Sequence, residues 1–240
     1  MITIDGKWVM EGLADNDPHR IKSSKELSTY INEIGFLPLF KNNVLGFSVE
    51  EITGCNSWWS DNREEDPWSW REVIATEGKI AYGKLFGNRA GFVAREWYPY
   101  LASFRRDGYD FDSRYEDGLA SHRAKRIIEV LEQCEDMLSN ELKVTAGFGK
   151  GGEKGYEGTL TSLQMQTYIT VKNFRRRYNK KNEEYGWSVA SYTLSENLFG
   201  ADHVRSAYHL DTVQAKDKIV EFLMSKFPLA DRSDIERAIK

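Results

Sequence analysis

Four tryptophans crowd one stretch of this sequence. Trp58, Trp59, Trp68 and Trp70 surround Asp61, Glu64, Glu65 and Asp66. Aromatic walls beside a carboxylate suit a pocket for an extruded base, and a carboxylate there can activate water. Asp61, Glu65 and Asp66 are therefore the candidate catalytic groups, with Trp58, Trp59 and Trp68 as the candidate aromatic pocket. A small aromatic core with an acidic rim accounts for the same letters. Trp70 belongs to the core by its helical spacing with Val73 and Ile74. Trp58 and Trp59 are adjacent, so one of them points elsewhere.

A second cluster is basic. Arg175, Arg176 and Arg177 precede Lys180 and Lys181. On a strand Arg175 and Arg177 share a face, where they can meet phosphates together with the two lysines. Charges that keep a solvated strand edge from pairing are the competing explanation. Gln164-Met165-Gln166 is expected to open a helix, placing Gln166 where a recognition helix meets base edges. Gln164 is read instead as closing a Thr161-x-x-Gln164 capping box.

Other motifs fail on spacing. Gly147-Phe148-Gly149-Lys150-Gly151-Gly152 lacks the Lys-Ser/Thr pair of a phosphate loop and reads as a linker. His19, His122, His203 and His209 form no HExxH, and Cys55 and Cys134 form no CxxC pair. No metal and no cofactor are expected.

The elements that must position these residues begin with a helix capped by Ser23-x-x-Glu26, carrying Leu27, Tyr30, Ile31 and Ile34, and ended by Gly35. Ser48-x-x-Glu51 opens a short second helix. Asp66 as N-cap and Pro67 at the first turn open a third. Residues 79–86 and 92–94 flank a Gly/Asn turn and read as a hairpin, although 79–86 also allows a continued helix. After a helix around 96–105 and a turn-rich stretch at 106–110, the order recurs. A long helix runs from Ala124 through Leu138, a short one covers Ser139 to Ala146, and a third opens at Thr161. Strands then follow at 171–178 and 187–194. The expected fold is α+β and helix-rich, with tandem winged-helix modules and small two-stranded wings. The modules cover 1–106 and 107–200, and a helical tail, 201–240, packs on them. In the tail Asp211-x-x-Gln214 and Ser233-x-x-Glu236 open helices.

The order of these elements resembles the AlkZ/YcaQ family of winged-helix alkyl-DNA glycosylases. Two stretches carry the likeness. Residues 31–40, from Ile31 through Gly35 to Phe40, look like the family's first helix and the Gln-containing segment after it. Leu85-Phe86, Arg89 to Val93 and Glu96-Trp97-Tyr98-Pro99 look like a later segment. The resemblance implies DNA as a partner and base excision as the chemistry. In the family a Gln and a following acid or amide position the attacking water. Those two positions fall on Pro38 and Phe40, which have no side-chain group to hold water. The resemblance thus implies a relative without that chemistry, or one using a substituted carboxylate.

Bulk properties bound these readings. The chain has 240 residues, 40% hydrophobic and 13% aromatic, ample for a sizeable core. A net charge of −4 and a pI near 5.7 argue against strong non-specific DNA binding and keep a protein partner open. No run of apolar residues is long enough for a membrane span, and the first residues do not read as a signal peptide. Two unpaired cysteines suit a reducing cytoplasm.

Overall fold

Two stretches of the chain fold with the same order of elements. The structure is a computed structural model that describes residues 2–4, 7–179 and 181–240; Lys180 lies outside them. A short hairpin, β1 (Ile2–Ile4) and β2 (Lys7–Val9), leads in. Helix α1 (Ser24–Ile34) starts at Ser23, whose hydroxyl accepts from the Glu26 amide, and Glu26 accepts in turn from the Lys22 amide. Gly35 ends it at φ 77 and runs directly into β3 (Phe36–Pro38). Next come α2 (Val49–Ile52), α3 (Pro67–Glu77), β4 (Ile80–Phe86) and β5 (Arg89–Ala94). The three strands form an antiparallel sheet in the order β3-β5-β4. Residues 80–86 are strand rather than continued helix. Gly87 and Asn88, at φ 54 and 66, supply the left-handed pair that closes a tight hairpin.

A 3-10 turn and α4 (Tyr98–Arg106) lead on to α5 (Phe111–Glu116). The order then recurs as α6 (His122–Glu132), β6 (Met137–Leu138), α7 (Ser139–Thr145), α8 (Tyr156–Met165), β7 (Ile169–Arg175) and β8 (Val189–Leu194). The strand order β6-β8-β7 repeats that of the first sheet. The fold is thus α+β, helix-rich with small antiparallel sheets. Each hairpin gains a short third strand, β3 or β6, so neither sheet is the expected pair. Strands of two or three residues following a helix or turn leave too few positions for a period-2 signal.

Other boundaries also move. Leu138 belongs to β6, because α6 stops at Glu132. Val73 is exposed, while Trp70 and Ile74 face the core. The third helix of the second unit opens at Tyr156, with Gly155 at φ 88 before it, and not at Thr161. Strand β7 ends at Arg175, so Arg175 and Arg177 do not share a strand face. The chain ends in α9 (Ser195–Phe199), α10 (Ala201–Arg205), α11 (Thr212–Lys226) and α12 (Arg232–Ala238). Asp211 and Gln214 form a complete capping box on α11, whereas Ser233 lies inside α12, which Asp231 precedes. Helix α11 packs on α4, and Phe222 stacks on Trp97 at 4.0 Å. Ile219, Leu223, Ile235 and Ile239 complete the core of the first unit, and residues 111–169 hold a second, separate core.

The third helix of each unit packs on the other unit's hairpin. Helix α3 lies against β7, α8 lies against β4, and β4 and β7 approach each other. The contacts are reciprocal. The Gln164 side chain of α8 accepts from the Lys84 amide of β4 at 3.0 Å, and Lys84 Nζ donates to Thr161 Oγ1 at 3.1 Å. On the opposite side Thr76 of α3 meets Asn173 of β7 at 2.9 Å, and Arg71 covers the Phe174 ring at 4.4 Å. A Cβ on Gly83 would stand 3.0 Å from Gln164 Oε1, so glycine permits this close approach.

Two arginines at the end of α4 tie the seam together. Arg105 donates to the carbonyls of Met165, Leu85 and Ile239, joining the end of α8, β4 and the C-terminal segment. Arg106 is fully buried; it donates to the Thr167 carbonyl at 2.5 Å and its hydroxyl at 3.1 Å, and pairs with Glu196. Tyr98 and Ser195 also donate to the Thr167 carbonyl, at 3.0 and 2.6 Å. Thr167 sits at φ 64, which a β-branched residue rarely adopts, and these bonds hold it there. Burial disfavours the charge on Arg106, but Glu196 outweighs it and raises the guanidinium's pKa.

Removing Arg106 takes from Glu196 its ion-pair partner and from the Thr167 carbonyl one of its three donors. Arg106→Ala should cost roughly 3–5 kcal/mol in urea unfolding, and adding Glu196→Ala should cost less than the two single losses combined. Burial pushes the hydroxyls of Tyr98, Tyr156 and Tyr168 up to about 12 from an ordinary 10.0. The folded chain therefore keeps these protons after the unfolded chain has lost them. Their stabilisation is complete below about pH 10 and falls as pH rises toward 12, by roughly 2 kcal/mol for the fully covered Tyr98. Burial lowers Arg105 to about 10, an effect of opposite sign from one group against three. A urea midpoint that holds up to pH 10 and declines above it is the expected record.

Candidate nucleic-acid interface

The loop between α2 and α3 turns its tryptophans in different directions. Trp58 is buried, its indole N–H bonded to Thr53 Oγ1 at 3.0 Å and its ring stacked on Phe40 at 6.0 Å. Trp59 follows at φ 59, which swings its ring outward to 38% exposure. Trp68, on the first turn of α3, stands 6.5 Å from Trp59 between ring centres. The Arg71 guanidinium covers its face at 3.9 Å.

Asp66 organises this corner. Its Oδ1 accepts from the amides of Trp59 and Trp68, and its Oδ2 from the amide and hydroxyl of Ser69. A carboxylate accepting four hydrogen bonds caps the helix, as the Asp66-Pro67 letters imply. Asp61 and Glu65 are both exposed, but only Asp61 lines the cleft that the tryptophans frame.

That cleft, of about 290 Å³, is closed on its far side by the second unit. Trp187, 64% exposed, meets Trp68 edge to face at 5.9 Å and 80°. Ser188 donates to Glu72 of α3, whose other oxygen pairs with Arg63 at 2.7 Å. Trp187 escaped the sequence reading. Its only local signal was an isolated tryptophan between Gly186 and Ser188, and its partner lies more than a hundred positions earlier.

The described residues of the basic cluster lie beside the cleft, Arg175 at the end of β7 and Arg176, Arg177 and Lys181 in the long connection between β7 and β8. Arg175 is paired with Asp136 at 2.9 Å and Arg176 with Glu184 at 3.7 Å. Among the described residues, no ion pair forms at Arg177 or Lys181, and both are exposed. Tyr178 and Tyr185 are half exposed on the same connection, which a Tyr178–Glu184 bridge closes. Gln166 does not begin a helix. It is the C-cap of α8 and bonds to Ser162, because the Thr-x-x-Gln letters fall within the helix.

A second cleft of about 290 Å³ opens at the end of β3. Pro38 and Phe40 line it, and Asp234 of α12 reaches it already bonded to Asn43 at 3.1 Å and Arg237 at 2.5 Å. Phe40 stacks on Trp58, so a row of rings runs from here through Trp59 and Trp68 to Trp187.

The sequence model of the AlkZ-related family matches residues 21–240. The chain belongs to the AlkZ-related family. Among solved structures this AlkZ-related chain is similar to the Streptomyces sahachiroi DNA glycosylase AlkZ, at 13% identity and a TM-score of 0.46. The match covers 88% of this chain and 53% of that one, so the chain spans about half the glycosylase's length. No curated protein matches. Among the described residues no helix is long and apolar enough to cross a membrane.

Asp66→Ala should cost about 1–2 kcal/mol in denaturant unfolding through loss of the cap, and Asp66→Asn less. Unchanged stability in Asp66→Ala would contradict the capping role.

Proposed function

We propose that this AlkZ-related protein binds DNA through a pair of winged helices, related to DNA repair, and lacks the family's base-excision chemistry. The recurring helix-strand-helix-helix-strand-strand order, with the first strand beside the third, supports two winged helices spanning 1–106 and 107–200, with 201–240 as a tail. The observation that carries the binding is the β7–β8 wing, where Arg177 and Lys181 have no carboxylate partner among the described residues and stand beside exposed tyrosines. Both third helices are engaged at the seam, so the wing rather than a recognition helix offers itself to a phosphate backbone. Arg175 is partly neutralised by Asp136 and contributes less, and Lys180 joins by its place in the sequence.

At the cleft beside Pro38 and Phe40 neither side chain can orient water, and Asp234 is committed to Asn43 and Arg237. This supports the absence of excision chemistry. One observation favours a second reading, an active glycosylase with a substituted carboxylate. Asp61 lines the aromatic cleft with no hydrogen-bond or ion-pair partner among the described residues. Release of a modified base from a lesion-containing duplex by the natural chain, lost in Asp61→Ala, would establish that reading.

With only a small basic cluster on the wing and a net charge of −4, binding should be weak and should fall as salt rises. Reversing Arg177 and Lys181 together to Glu should weaken it at low salt and lower the slope of log K against log salt by about one for each lost phosphate contact. Absence of any DNA binding by the natural chain at low salt would overturn the proposal.

A further inference from the structure

The cleft between Trp59, Trp68 and Trp187 has a composition that phosphate binding does not require. Its walls include indole rings contributed by both units, beside Arg63 and Arg176, and Trp187 leaves most of its ring in water. The Trp68 indole N–H is buried and has no hydrogen-bond partner among the described residues. The Glu72 oxygens are occupied by Arg63, Arg71 and Ser188 and those of Asp66 by the α3 cap, so among the described residues Asp61 is the carboxylate left open on the rim. Arg177 and Lys181 belong to the neighbouring wing.

A matching occupant has a flat face to lie against indole, N–H donors along one edge for Asp61, and an attached anion that can reach the wing. Bases in duplex DNA have their faces stacked and their edges paired, so they do not meet these demands; an unpaired base does. Among bases, guanine offers an adjacent ring N–H and amino group to a carboxylate. Thymine turns two carbonyl oxygens around a single N–H toward the same group, and the carboxylate repels them.

We propose that this cleft holds one unpaired base of single-stranded DNA and prefers guanine to thymine, with Trp187 as the stacking surface and Asp61 as the edge acceptor. This rests on the reading of the chain as a DNA-binding protein and names what that binding selects.

The test uses the full chain and two single-stranded oligonucleotides, an all-thymine strand and the same strand with one central guanine, followed by tryptophan fluorescence and anisotropy. The guanine strand should bind about tenfold more tightly and quench tryptophan emission more strongly. Trp187→Ala should bind the guanine strand about tenfold more weakly, with the salt slope retained. Asp61→Ala should bind both strands alike. Both side chains are exposed, and circular dichroism checks that the variants fold. If the natural chain binds the two strands equally and Trp187→Ala matches it, while binding still falls with salt, the cleft assignment is overturned and the wing reading stands. If neither strand nor a duplex binds at low salt, both are overturned.

Discussion

The carbonyl of Thr167 gathers donors from Arg106, Tyr98 and Ser195, and the arrangement of the two units depends on it. Arg106 and Tyr98 come from α4, which closes the first unit, whereas Thr167 links α8 to β7 in the second. A fully buried guanidinium carries a large desolvation cost and persists only when its donors are matched. Here Glu196 supplies the charge, and Thr167 and the Tyr208 hydroxyl supply further acceptors. Arg105, one residue earlier, reaches three further carbonyls and includes the C-terminal segment in the same junction. With this corner fixed, α3 can lie on β7 and α8 on β4.

That reciprocal docking has a functional consequence. A recognition helix that reads DNA needs an open outer face. Helix α3 turns Arg71 and Thr76 to β7, and α8 turns Thr161 and Gln164 to β4. What remains open is the long β7–β8 connection and the tryptophans beside it. The first hairpin, closed by only Gly87 and Asn88, has no comparable projection. The two units share a plan, and the longer connection gives the second a surface that the first lacks.

Much of this was legible locally. The caps at Ser23, Asp66 and Asp211 each bond as their letters imply, since a cap is decided within four residues. Gly87-Asn88 marked its turn because two left-handed residues are needed there. The family resemblance rested on patterned stretches at 31–40 and 85–99, and the chain does belong to the AlkZ-related family. What failed was decided at long range. Thr161-x-x-Gln164 has the letters of a cap, but Gln164 is held by a backbone amide eighty positions earlier. Arg175 and Arg177 share a parity that matters only while a strand lasts, and β7 stops between them. Trp187 has no local partner at all, so only the docking of the units brings it to Trp68.

Amide hydrogen exchange of the full chain, with and without single-stranded DNA, tests the proposed DNA interface most directly. Added protection should appear in the β7–β8 connection and in the loop from Trp58 to Asp66. Helices α3 and α8 should be slow to exchange in both states and unchanged by DNA. Protection that arises on α3 or α8, with the β7–β8 connection unaffected, would contradict a seam that withholds both third helices from DNA.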